Sequence, residues 1–224
     1  SLRNAALHVN RPQGAPQSSL EWLIDHFVDK ERKKEKNPFH VQLKRLYLEN
    51  VTYTVADDVK GNHMQVRIPQ GLVRMRKMDL PGKILHVEQI VLHRPIYSVE
   101  TRPELPLPFA TPAALRRTTK PGDTLTWNIT LKDIDLTQGA FSLHNLRKAP
   151  VKITPDDQLD FNHLDVHDIN IRLKQLRLNS DSLNGSIQRI AAQTASGFTL
   201  RQLAAKELLM TSKSIQLYGL EILT

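Results

Sequence analysis

The stretch Ile129-Thr130-Leu131-Lys132-Asp133-Ile134-Asp135-Leu136 decides how this chain folds. Its apolar residues alternate with polar ones, as in a strand with one buried face. One extra residue sits between the two alternating pairs. In a flat strand that insertion would turn every later side chain to the opposite face. A β-bulge absorbs the extra residue, bends the strand, and keeps the apolar set on one side. The stretch therefore reads as a bent strand with an apolar concave face.

The same unit occurs throughout the chain. It is present at Val73-Met75-Met78-Leu80 and Leu85-Val87-Ile90-Leu92. It returns at Leu159-Phe161-Leu164-Val166, Ile171-Leu173-Leu176-Leu178, Phe198-Leu200-Leu203-Ala205 and Ile215-Leu217-Leu220-Ile222. The stretch Val41, Leu43, Leu46, Leu48, Val51, Tyr53, Val55 has it too. Bent strands stacked side by side fold a sheet lengthwise into a trough. Pairs of short strands around the corners of a sandwich have the same pattern, so spacing alone leaves both open.

Short separators such as Asn179-Ser180-Asp181, Thr194-Ala195-Ser196-Gly197 and Thr211-Ser212-Lys213 join antiparallel neighbours. Asp57 to Asn62 and Pro81-Gly82 play that role earlier. The expected fold is mainly β, an antiparallel meander of bent strands forming an elongated open trough, with one N-terminal amphipathic helix. About ten strands at a 4.8 Å spacing give roughly 50 Å of trough.

The helix is expected over 18–34. Ser18 and Glu21 have capping-box spacing. Leu20, Leu23, Ile24, Phe27 and Val28 recur at helical intervals. Asn37-Pro38 ends the segment after a Lys-rich run read as a solvated last turn and linker. The chain divides into a leading segment 1–37, a first bent-strand repeat 38–101, a Pro-rich linker 102–123, and a second repeat 124–224 truncated at its C-terminus. The chain opens Ser1-Leu2-Arg3 without an initiator Met and ends mid-pattern at Leu220 through Thr224, so it is expected to be a piece of a longer protein.

Composition narrows the function. The 224 residues are 40% hydrophobic and 24% charged, with a net charge of +8 and no cysteine. Disulfide scaffolds, Cys-ligated zinc and thiol catalysis are excluded. No apolar run is long enough to span a bilayer. No hydrolase elbow and no Gly-rich phosphate loop is present. The nine histidines are scattered, and only His163 and His167 lie close together, with Asp165 and Asp168 near them. They read as polar residues at exposed bends rather than metal ligands. No carboxylates pair for acid–base work, so an enzyme is not expected, nor a cofactor. Aromatics at 5% are sparse for stacking on single strands. Nucleic acid is therefore not an expected partner, and the basic residues read as the solvated outer face of the sheet, with attraction to an anionic membrane surface as the other reading.

Three stretches carry a resemblance. One is Ser19-Leu20-Glu21-Trp22-Leu23-Ile24-Asp25-His26-Phe27, with the Lys-rich linker and Pro38 through Tyr53 after it. The second is Leu159 through Ile171. The third is Ser196 through Leu203, running into Ser214 through Ile222. Together they resemble the AsmA-like superfamily, and look most like the TamB-type envelope proteins of the Bacteroidetes lineage. That resemblance implies a trough that conducts phospholipid between inner and outer membrane in support of outer-membrane biogenesis. It implies a periplasmic location, an inner-membrane anchor, phospholipid acyl chains as the cargo and an outer-membrane TamA-type protein as a partner. The inward positions expected to form the lipid groove are Leu43, Leu46, Leu48, Val87, Ile90, Leu131, Ile134, Leu164, Val166, Leu173, Leu176, Leu200 and Leu203. For each, ordinary core packing is the competing reading. A structural β module that binds a protein through a sheet edge is the alternative function.

Overall fold

Every described strand joins one sheet. The computed structural model describes residues 1–11, 19, 43–79, 83–103, 128–151, 160–179 and 182–224. Twelve strands appear among them: β1 (Leu2–Arg3), β2 (Ala6–Arg11), β3 (Arg45–Asp57), β4 (Asn62–Asp79), β5 (Ile84–His93), β6 (Ile96–Thr101), β7 (Asn128–Asn145), β8 (His163–Leu178), β9 (Ser182–Thr194), β10 (Thr199–Thr211), β11 (Ile215–Tyr218) and β12 (Glu221–Leu223). They form a single 12-stranded sheet in the order β1-β3-β4-β5-β7-β8-β9-β10-β11. β2 continues β1 along β3, β6 continues β5 between β4 and β7, and β12 continues β11 along β10. The sheet therefore consists of nine bent ribbons, about 40 Å across at strand spacing. The protein is mainly β, as the spacing predicts, and all described strands lie in one layer rather than two packed sheets. The helix expected over 18–34 lies outside the described residues, apart from Ser19.

The bends have a simple rule. At each, two successive residues both lie on the polar face, and the apolar alternation then resumes. The doublets include Glu49-Asn50, His93-Arg94, Thr137-Gln138, His167-Asp168, Lys174-Gln175 and Tyr218-Gly219. The second residue of each has positive φ: Asn50 52°, Arg94 50°, Gln138 54°, Asp168 51°, Gln175 55° and Gly219 60°. A left-handed residue between extended ones rotates the pleat and returns the next side chain to the apolar face. The extra residue lengthens the polar side, so that side is convex and the apolar side concave.

Register survives because neighbouring strands bend at the same level. β5 and β7 run through their doublets in step, with Val87 opposite Leu131, Gln89 opposite Asp133 and Ile90 opposite Ile134. Where the levels differ, the pairing slips, as between Leu136 and Gly139 on β7.

Within the two runs β3-β4-β5/β6 and β7-β8-β9-β10-β11/β12, neighbours are antiparallel. Two joints depart from the expected meander. β1 and β2 run parallel to β3, and β5 and β6 run parallel to β7. The connections, residues 12–44 and 102–127, are long enough for parallel crossovers. The expected helix and Lys-rich linker fall in the first and the Pro-rich stretch in the second, which gives that stretch a topological role.

The two joints are built alike. Asn4 (φ 49°) lies beside Asn50 in one, and Arg94 beside Gln138 in the other. Asn4 N donates to Glu49 O at 2.8 Å, and Arg94 N donates to Thr137 O at 2.9 Å. Thr52 N returns a bond to Ala5 O at 2.8 Å, and Ala140 N returns one to Pro95 O at 2.9 Å.

The antiparallel turns follow their sequences. Asp57 Oδ1 accepts from Val59 N (3.1 Å) and Lys60 N (3.0 Å). Gly61 then takes φ 66°, where an added Cβ would lie 2.3 Å from Arg102 O. The β9–β10 turn is closed by Thr194 N to Phe198 O at 2.9 Å.

One expected unit is displaced. Phe161, placed inside a strand by the spacing, is 70% exposed and precedes β8, which starts at His163. The buried residue there is Asp160, held by turn hydrogen bonds that apolar spacing does not register. Leu159 and Leu80 lie outside the described residues.

Candidate functional site: an open apolar face

Following register across the sheet brings the inward residues into rows. One row crosses all nine ribbons: Leu2, Leu48, Gly71, Leu92, Leu136, Ile171, Ile190, Leu203 and Ile222 are successive neighbours. A second runs Leu46, Val73, Ile90, Ile134, Leu173, Ile187, Ala205. Gly71 leaves no gap in the first row. A Cβ there would lie 3.0 Å from Leu92 Cδ2 and 3.2 Å from Leu48 Cδ1, so the flanking leucines already cover it.

Beyond the upper bend the apolar face continues. Leu7, Tyr53, Val66, Tyr97, Phe141 and Val166 form one row, and Val9, Val55, Met64, Val99, Leu143 and Leu164 the next. Tyr97 and Phe141 stack with centroids 5.7 Å apart, and the Tyr97 hydroxyl donates to Met64 S at 3.2 Å. The row after that is polar: Arg11, Asp57, Asn62, Thr101 and Asn145. A polar rim therefore borders the apolar face on this side.

All thirteen residues named from the sequence are described. Leu46, Leu48, Val87, Ile90, Leu131, Ile134, Leu164, Val166, Leu173, Leu176, Leu200 and Leu203 lie on strands of the sheet, and Leu43 just precedes β3. Burial divides them. Val87 (5% exposed) and Leu176 (6%) are buried, together with Ile187 and Ala205. The others are only partly buried. The first group packs as core, and the second lines a surface open to an occupant. Leu92, Leu136, Ile171 and Ile190 belong to the same rows and were missed. The first three hold the positions of the repeated unit next to those chosen, so the same spacing could have found them. Ile190 follows the doublet Gln188-Arg189 on β9, where no full unit is legible.

The polar face carries the described histidines. His63, Glu100, His144 and His163 are successive neighbours. His63 Nε2 lies 3.3 Å from Asp58, His144 Nε2 3.2 Å from Asp165, and His163 Nδ1 3.0 Å from Asp160. The acids engage the histidines one at a time, and no group of three side chains suited to a metal converges among the described residues. His167 occupies a bend doublet, as expected, whereas His163 lies at the strand start beside Asp160.

Among the described residues, Asp160 has the one markedly shifted titration. Its carboxylate accepts backbone N–H bonds from Val151 (3.1 Å) and Asn162 (2.8 Å), which hold it well below the usual carboxylate range. Burial opposes that shift, and His163 adds to it. These partners are turn atoms, so the group has a structural role.

Comparison of the chain with protein-family models, with curated proteins and with solved structures returns no match.

Proposed function

We propose that this chain is a segment of an AsmA/TamB-like envelope protein and conducts phospholipid along its apolar face. The observation that carries the reading is the apolar row crossing all nine ribbons from Leu2 to Ile222. An acyl chain leaving a bilayer for water loses about 0.8 kcal/mol per CH₂. A continuous surface of Leu, Ile and Val returns that energy along its whole length, so a chain can slide without a barrier at each step. Headgroups then travel at the polar rim. Periplasmic location, an inner-membrane anchor and a TamA-type partner belong to the same proposal and rest on the sequence resemblance.

The test is phospholipid transfer between donor and acceptor vesicles, with native mass spectrometry of the purified protein. Bound phospholipid is expected. Ile134→Asp with Leu173→Asp, both mid-row and partly exposed, should lower transfer at least tenfold while circular dichroism retains the β signal. Lipid-free protein with transfer at the protein-free rate overturns the reading.

One observation favours a second reading, a β module that binds protein through its edge. Ile215 (65% exposed), Ile222 (53%) and Leu223 (58%) lie on the open β11/β12 edge. A partner captured there would bind normally after the groove substitutions and fail after charge insertion at the edge.

A further inference from the structure

The convex face is polar along most of its rows, but one corner is different. Lys44-Arg45 and Arg76-Lys77 are bend doublets on neighbouring strands, and Arg45 lies directly opposite Arg74. Like charges facing each other across a ladder destabilise it. Lys44, Arg45, Arg74 and Arg76 form no ion pair among the described residues, and Lys77 reaches Asp79 at 3.7 Å. Of the nearby acids, Glu49 is bridged to Arg3 at 3.0 Å, and Glu88 forms no ion pair among the described residues. The row next to these cations is apolar on a face that should be polar. Tyr47, Leu72 and Val91 are successive neighbours, and Tyr47 is 51% exposed.

We propose that this corner docks the convex face of the sheet on an anionic lipid bilayer. Cations draw the sheet to the negative surface, and each adds to that attraction. A tyrosine with two aliphatic neighbours then enters the headgroup region, where amphipathic rings concentrate. Charge complementarity selects an anionic surface, and the apolar row selects a bilayer over a nucleic acid. With one exposed ring and no second aromatic in the row, the corner lacks a stacking platform for successive bases. The docking surface lies on the face opposite the apolar rows, so it stands independently of the proposed lipid conduction.

The test is co-sedimentation of the full chain with vesicles of phosphatidylcholine alone or with 30% phosphatidylglycerol. Binding is expected only to the anionic vesicles and should weaken as salt rises. Arg45→Glu with Arg74→Glu should reduce partitioning at least tenfold, and Tyr47→Ser severalfold at unchanged charge. Arg189→Glu, on the same face but in β9, should leave it within twofold, as should the groove variant Leu173→Asp. Equal binding to neutral vesicles, no effect of the Arg45 and Arg74 reversals, or binding to a single-stranded oligonucleotide without binding to vesicles overturns the proposal.

Discussion

Asp160 anchors the entrance to β8 with three polar contacts at one carboxylate. It accepts from the backbone on both sides of the loop, at Val151 and Asn162, and meets the His163 ring. Each contact favours the ionised form, so its folded pKa is depressed. A depressed carboxylate contributes stability above its unfolded value, about 3.9, and that contribution is lost as pH falls through the folded value. Asp160→Ala should therefore lower the urea midpoint at pH 7, and the gap from wild type should narrow as pH falls below about 4. A gap that stays constant from pH 7 to pH 3 would contradict this account. Nothing in the apolar spacing marks Asp160. Its role depends on N–H groups that only the folded turn brings to it.

At the scale of the element, the bend doublet explains how one extra residue can recur without scrambling the faces. In six of the doublets the second residue adopts a left-handed conformation that costs an ordinary L-residue about 1–2 kcal/mol; in others, such as Arg76-Lys77, it does not. Asn at positions 4 and 50 tolerates it, and Gly219 adopts it freely. Gln175 has neither advantage, and its side chain is exposed. Gln175→Gly should relieve the strain and lose part of the gain to the greater freedom of the unfolded chain. The net expectation is roughly 0.5–1 kcal/mol of stabilisation. Gln175→Val should destabilise by about 1 kcal/mol or more, because β-branched residues are the least suited to positive φ. Thermal unfolding of the two variants checks the opposite signs. Doublets such as Glu49-Asn50 and Lys174-Gln175 were legible as insertions in the pattern, whereas His93-Arg94 and Thr137-Gln138 lay beyond the units that were read. The left-handed residue at Arg94, Gln138, Asp168 and Gln175 was not legible, because those residue types give no glycine-like signal.

At the scale of the molecule, the described strands leave the sheet with two edges, β1/β2 and β11/β12. Among the described strands, β1 and β2 pair only with β3, and β11 and β12 only with β10. Ile215, on the second edge, is 65% exposed. An apolar edge with unpaired backbone groups invites strand addition from another chain. The protein should associate as its concentration rises, and Ile215→Lys should suppress that association in sedimentation velocity. A variant that associates as wild type does would place the contact elsewhere. The groove positions were legible from spacing because most ribbons repeat the unit. Their division into buried residues, such as Leu176, and partly open ones, such as Leu173, was not. Burial depends on which neighbour crosses above a residue, and the spacing is identical for both.

By itself, the sequence determined that the chain is built of strands, where they bend, and which side of each is apolar. These are local properties, set by alternation and by one inserted residue per bend. Only the tertiary structure decided that all the strands share one sheet, that two joints are parallel, and that the apolar sides connect from edge to edge. Pairing partner and direction are choices between distant segments. Most ribbons present the same apolar spacing, so local pattern cannot tell one neighbour from another.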